Sequence, residues 1–319
     1  IQTRNTRPKE RKGLKNMKKD SSPIANVLLV ATTLISIFLL FVLVFRAPGV
    51  QVTSSEQAPT AAPVSKKVGD HPAEAHPAAV GESAEKHVQK PNPDEVLQML
   101  KEGNERFYTG KAVHPHTDAA RLALAGKENQ GKYAYATVIA CSDSRVPVEL
   151  IFDAGVMDMF VIRVAGNVVD TDEAGPIEYG LAHVDCPVLV VLGHTQCGAV
   201  TAVTKGLQGK GHALEINIPP LVDNIIPAVK RAMKKQKNVS GEAIIPYAIE
   251  ENVWQGVEDL FMMSPTARKR VKEGKVKVVA ALYDVGTGKV EWLGMEKVDE
   301  ILKRVEASPD KETKEFATE

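Results

Sequence analysis

Two kinds of apolar pattern divide the chain. From Ile24 to Phe45, 22 residues run without a charge, and only Asn26, Thr32, Thr33 and Ser36 among them are polar. As a helix this stretch would reach about 33 Å at roughly 1.5 Å per residue, the thickness of a bilayer core. From Pro93 onward the apolar residues fall into short groups spaced as in a folded domain. Asn92-Pro-Asp-Glu95 predicts a helix start with a cap, a first-turn proline and two acids, and Gly110 ends that helix. Val96, Leu97, Leu100 and Phe107 form its apolar stripe. A second helix is predicted over 118–125, stopped by Gly126. Three runs rich in Val and Ile follow, at 134–140, 159–164 and 188–192. They do not alternate with polar residues, which suits strands buried on both faces. Helical patterns occupy 174–184 and 199–205. This alternation predicts an α/β fold with a central, mostly parallel sheet flanked by helices. Beyond it, 220–235 and 246–263 read as two long helices and Ser264-Pro265 opens a third. A strand is predicted over 276–285, with the turn 284–288 leading to an edge strand over 290–293.

Charge changes the picture at one end only. The 319 residues carry 40 Lys+Arg against 40 Asp+Glu, and that neutral balance argues against nucleic acid as a partner. Residues 1–23 nevertheless hold eight Lys/Arg and two acids. Positive charge stays cytoplasmic, so a basic leader before a spanning segment places the rest of the chain across the membrane. The expected organisation is a basic cytoplasmic leader (1–23), a transmembrane anchor or signal segment (24–45), a flexible linker (46–92), a folded domain (93–305) and a charged tail (306–319). A cleavable signal peptide has a shorter apolar run, roughly 7 to 15 residues, with a small-x-small site close behind. Neither feature is present, which favours an anchor and a folded domain outside the cytoplasm, periplasmic if the source is bacterial; cleavage would instead make the protein secreted. Met17, followed by Lys-Lys-Asp, reads as a candidate start for the leader. The linker is rich in Ala, Pro, Ser, Glu and Lys, and its His71, His76 and His87 have no cysteine beside them. The last dozen residues are charged and expected to fray.

Three cysteines cannot make a disulfide scaffold, so their positions matter more than their number. Cys141 directly follows the first predicted strand, in Ala140-Cys-Ser-Asp-Ser-Arg145. His194 directly follows the third, in Leu192-Gly-His-Thr-Gln-Cys197-Gly, where a helix begins. The C-terminal ends of parallel strands form the ligand crevice of such sheets, so both segments can converge there. Cys141, His194 and Cys197 are a donor set suited to Zn2+, and three protein ligands with an open fourth position describe a catalytic rather than a structural zinc. Core thiols, or a disulfide outside the cytoplasm, are the competing reading, but a core does not need a His three residues before a Cys. Cys186, in Asp-Cys-Pro, has no partner pattern and reads as a buried thiol. Asp143 and Arg145 flank Cys141; a carboxylate there can bind the metal or accept a hydrogen bond from a metal-bound water, and a guanidinium can hold it in the second role.

These segments, together with Lys101-Glu-Gly-Asn-Glu-Arg-Phe107, Arg163-Val-Ala-Gly-Asn167 and Tyr283-Asp-Val-Gly-Thr-Gly288, resemble the beta-class carbonic anhydrases over about residues 93–293. The resemblance implies that Cys141, His194 and Cys197 bind zinc, that Asp143 and Arg145 form a catalytic dyad, and that the unit is a homodimer or higher oligomer; separately, a carboxylate competes best for the metal when hydroxide is scarce, so Asp143 could serve as a fourth ligand in a resting state. It implies a lyase that interconverts carbon dioxide and bicarbonate by attack of zinc-bound hydroxide. One departure is Phe152-Asp-Ala154-Gly155, where similar sequences often have Gln in the substrate pocket; Ala154 cannot donate a hydrogen bond. Two other readings follow: a hydrolase of carbonyl sulfide or carbon disulfide on the same fold, and a zinc-stabilised binding module without turnover.

Overall fold

In the computed structural model, residues 90–317 are described. The expected leader, anchor and most of the linker lie outside them, and among the described residues no helix is long and apolar enough to cross a membrane. The first helix, α1 (Pro93–Tyr108), starts as the sequence predicts. Asn92 Oδ1 accepts from the N–H groups of Asp94 and Glu95 at 3.0 Å each, and the Glu95 carboxylate accepts from the Asn92 N–H at 2.8 Å. This reciprocal cap satisfies donors a helix start leaves orphaned. The helix α2 (Ala119–Ala125) is capped by Asp118 and closed by Gly126.

The central elements follow as β1 (Ala136–Cys141), a one-turn α3 (Val148–Ile151), β2 (Met159–Val164), α4 (Thr171–Ala182), β3 (Val188–His194) and α5 (Gly198–Leu207). Next come α6 (Ile218–Val222), α7 (Ile226–Lys235), α8 (Ile245–Met263) and α9 (Pro265–Lys272), then β4 (Lys277–Tyr283), β5 (Val290–Trp292) and α10 (Met295–Glu306). The sheet order is β2-β1-β3-β4-β5; the first four strands are parallel and β5 is antiparallel. Side chains alternate across a strand, so each inner strand feeds two cores. Ile139, Leu189 and Val191 join the core under α4, α8, α9 and α10, while Val138, Ala140, Val190 and Leu192 join the one under α1 and α3. Asn104 of α1 ties two of the resembling segments together: its Nδ2 donates to Gly288 O at 2.9 Å and its Oδ1 accepts from Val290 N–H at 2.9 Å.

Several expectations need correction. Only β1 and β3 are buried along their whole length; β2 is half-buried with Arg163 exposed, because it is the edge strand. The helix expected over 220–235 is broken into α6, a 3-10 turn (Asp223–Ile225) and α7. Pro227 explains the break, since it has no N–H to donate and its ring collides with the carbonyl four residues earlier. Two elements were not foreseen, α3 and α10; the latter is amphipathic and buries Val298, Ile301, Leu302 and Val305. The tail is not frayed at its start, for Glu312 N–H donates to Met262 O at 2.8 Å and Arg268 donates to Glu312 O at 2.6 Å.

Candidate metal centre

The three predicted ligands converge where the parallel strands end. Cys141 is the last residue of β1, His194 the last of β3, and Cys197 the residue before α5. Their ligand atoms all lie within 4.8 Å of one another, and all three residues are buried. The cysteines are free thiols, so the disulfide alternative does not apply. Cys186 is also a buried thiol, apart from the cluster, with its sulfur against Ala134 O.

The donor set passes a test of fit for a metal. His194 Nδ1 lies 2.9 Å from Thr195 O, an acceptor, so Nδ1 carries the hydrogen and Nε2 keeps its lone pair. Nε2 is buried and has no hydrogen-bond partner. A buried nitrogen without a partner is costly, and a metal ion would relieve it. The loop that aims the ring is itself pinned: Thr195 N–H donates to Tyr283 O at 2.8 Å and its Oγ1 accepts from Val285 N–H at 3.1 Å, both at the end of β4.

The thiols of Cys141 and Cys197 are shifted in opposite directions. The hydrogen bond from Cys197 pushes Cys141 down, against the opposing effect of burial and with help from the Gly166 N–H. Cys197 goes up, because it supplies that hydrogen and is buried beside the Cys141 charge. A bound dication would replace that hydrogen bond and let both sulfurs be thiolates.

Asp143 is not among the clustered ligand atoms. Its Oδ1 accepts from Arg145 N–H and Nε–H at 2.9 Å each, and its Oδ2 from Arg145 Nη2 at 2.7 Å. This fork holds the Asp143 carboxyl well below the usual carboxylate range and raises the guanidinium. Arg145 also reaches Gln196, at 3.3 Å to Oε1 and 3.2 Å to the main-chain O, so it bridges the two loops that carry the ligands. Arg163 adds a second clamp, donating to Cys141 O at 3.1 Å and Asp143 O at 2.6 Å. Sequence reasoning assigned no role to Gln196 or Arg163; both stand inside the resembling segments, which was the available signal.

Ala154 lies three residues past the end of α3. It is buried in the turn behind α3, where its N–H donates to Glu149 O. Its neighbours are tied to other parts of the chain: Asp153 accepts from Arg106 Nε at 2.6 Å, and a Cβ on Gly155 would meet Pro115 O at 2.0 Å. A cavity of 570 Å3 lined by Asn92, Lys277, Val278 and Met295 lies at the opposite end of β4 from the cluster. Donor chemistry rather than volume marks the site.

Comparison with known proteins agrees with this geometry. The family model described as carbonic anhydrase matches residues 136–290. A carbonic anhydrase of Mycolicibacterium smegmatis is 33% identical over 200 residues, which is 63% of this chain and 93% of that protein. Carbonic anhydrase 2 of Mycobacterium tuberculosis is 33% identical over 203 residues, 62% of this chain and 91% of that protein. Among solved structures, a beta-carbonic anhydrase of Aspergillus fumigatus is 25% identical and superposes with a TM-score of 0.50, covering 66% of this chain and 97% of that one. The chain therefore belongs to the beta-class carbonic anhydrases, a family of lyases whose cofactor is zinc.

Proposed function

We propose that the chain catalyses the reversible hydration of carbon dioxide to bicarbonate and a proton, with Cys141, His194 and Cys197 as zinc ligands. The observation that carries this reading is the buried cluster with an unpartnered His194 Nε2, placed next to the Asp143–Arg145 fork. Zinc, when bound, acidifies water so that a hydroxide nucleophile is available near neutral pH. Asp143 then accepts a hydrogen bond from the attacking oxygen and orients its lone pair toward the substrate carbon. Arg145 occupies the carboxylate and so restrains it from becoming a fourth metal ligand. The water proton leaves to solvent, and oxygen addition to carbon dioxide gives bicarbonate. Zinc content together with stopped-flow hydration of the purified protein tests this. A zinc-loaded protein without turnover would overturn it and favour the binding module, against which the intact dyad argues.

Ala154 supports a second reading, in which carbonyl sulfide or carbon disulfide is the better substrate. Its methyl offers no hydrogen bond where similar sequences often carry an amide. Comparing rates on both substrate types decides between them.

Three further parts of the reading concern assembly and location. The open edge of β2, with Met159, Phe160, Val161 and Ile162 half-buried, supports a homodimer or higher oligomer. The apolar run 24–45 behind its basic leader supports a membrane anchor, with the folded domain outside the cytoplasm. Fractionation tests the anchor: a soluble mature protein beginning after this run would show it to be a cleaved signal.

A further inference from the structure

The sulfur of Cys141 has a partner that no ligand supplies. Gly166 N–H donates to Cys141 Sγ at 3.2 Å in the protein interior. Gly166 lies in the 3-10 turn after β2 (Ala165–Asn167) at φ +76°. A Cβ there would come within 2.7 Å of Ile225 Cδ1 and 3.1 Å of Ala199 Cβ, so the turn requires glycine for conformation and for space. The carbonyl of the same residue accepts from Asn252 Nδ2 at 2.6 Å. Asn252 stands in the middle of α8 and is 2% exposed, between core neighbours such as Val253 and Val257. An amide in that position is costly unless it is bonded, and it spends its donor on this turn.

We propose that Asn252 is a positioning residue for the metal centre: by holding the Gly166 carbonyl, it keeps the Gly166 N–H aimed at the Cys141 sulfur. The inference rests on the reading of Cys141 as a zinc ligand. Arg163 fixes the main chain of the ligand segment through Cys141 O and Asp143 O but does not touch the sulfur. The path from Asn252 through Gly166 is therefore a separate control on the donor atom itself. A hydrogen bond to sulfur lowers the energy of its lone pairs and fixes the direction in which it donates. Partners of this outer kind typically change metal affinity by about 10- to 100-fold when removed. The same helix also packs on the other ligand strand, for Val253 Cγ2 lies 2.4 Å from where a Cβ on Gly193 would stand. Thus α8 sets the geometry beside both Cys141 and His194.

Cobalt substitution of the whole protein tests this without relying on activity, because thiolate ligands give a charge-transfer band whose energy follows the sulfur lone pairs. Asn252→Ala should move that band to lower energy and weaken zinc in a chelator competition by about tenfold or more. Val257→Ala, equally buried on α8, should lower the melting temperature without moving the band. If both variants lose stability and neither moves the band, Asn252 only packs the fold and the proposal is overturned, even if affinity falls. Should Asn252→Ala fail to fold, the unmodified protein loaded with NMR-active cadmium answers the question. The Gly166 amide proton should then show scalar coupling to the metal through the Cys141 sulfur, and its absence overturns the proposal. A protein that shows no thiolate band at all would overturn the metal-centre reading and this inference with it. An intact band that is indifferent to Asn252 overturns this inference alone.

Discussion

Asp143 beside the metal cluster and the pair Asp153 and Asp158 behind α3 show how differently carboxylates can be used. Asp153 is filled on both oxygens, by Arg106 Nε at 2.6 Å and by the N–H groups of Val113 and His114. Asp158 is filled likewise, by His116, Arg121 and the Gly155 N–H. These groups staple residues 106–121 to the turn that follows α3, and their acceptor capacity is spent. Asp143 has all its donors from a single residue, Arg145, with one of its oxygens accepting only once. Its side chain is 19% exposed, against 0% for Asp153 and 3% for Asp158. An acceptor with spare capacity at an open edge can serve a substrate, whereas a saturated one can only hold the fold.

The largest expected effect falls on the cluster itself. Cys197→Ala should remove most of the zinc and with it the hydration activity, because two protein ligands rarely hold this metal. Metal analysis showing full occupancy in that variant would break the assignment. Arg145→Ala should keep the zinc and lose about a hundredfold in hydration rate. The loss should deepen at lower pH if the freed Asp143 then captures the metal when hydroxide is scarce. Unchanged rates across roughly pH 6 to 9, a window around the pKa of about 7 known for zinc-bound water, would reduce Arg145 to a surface charge and erase the contrast drawn above.

Asp158→Asn should behave in the opposite sense. The amide still accepts from one donor, but it withdraws the full charge facing Arg121, whose Nη2 lies 2.8 Å away in a buried setting. A loss of about 2 kcal/mol in unfolding free energy is expected, with zinc content and hydration rate per folded molecule unchanged. Denaturant titration alongside metal analysis measures both. A loss of zinc would show that the turn behind α3 reaches the metal centre and is not only a staple.

The two regions also differ in how far the sequence reveals them. The candidate metal ligands were legible because Cys141 and His194 each end a strand whose apolar run is plain, and because Cys197 shares one short loop with His194. The staple was not legible, since Arg106 and Asp153 are 47 positions apart and nothing local marks either as a partner. Asn252 and Gly166, 86 positions apart, are the same case. Strand existence was readable for β2, but its half-buried state follows from its place at the sheet edge, a property of strand order rather than of its own residues. The break before α7 needed only the rule for an interior proline, which the apolar periodicity of 220–235 masked.

A fourth carboxylate sharpens the comparison by having too few donors. Asp259 lies near the end of α8 and receives one hydrogen bond, from the neutral Gln255 Nε2 at 2.5 Å. It faces a cavity of 230 Å3 lined also by Asp170 before α4, Asp223 and Asn224 in the 3-10 turn, and Pro227 of α7. Burial pushes it up to about 7; Glu258 and Asp170 add to this, while Gln255 and Arg231 oppose it. In the unfolded chain the group titrates near 4. Between about pH 4 and 7 the folded state therefore holds a proton that the unfolded state has lost, so stability falls as pH rises and the cost is complete above 7. Asp259→Asn removes the charge and keeps an acceptor for Gln255. The variant should match the parent near pH 4, gain on it as pH climbs, and be more stable by about 1 to 3 kcal/mol at pH 8. Denaturant titrations at several pH values measure this. A constant difference across the range would mean that Asp259 is ionised in the fold and that its single donor suffices, against the rule that separates Asp143 from Asp153 and Asp158.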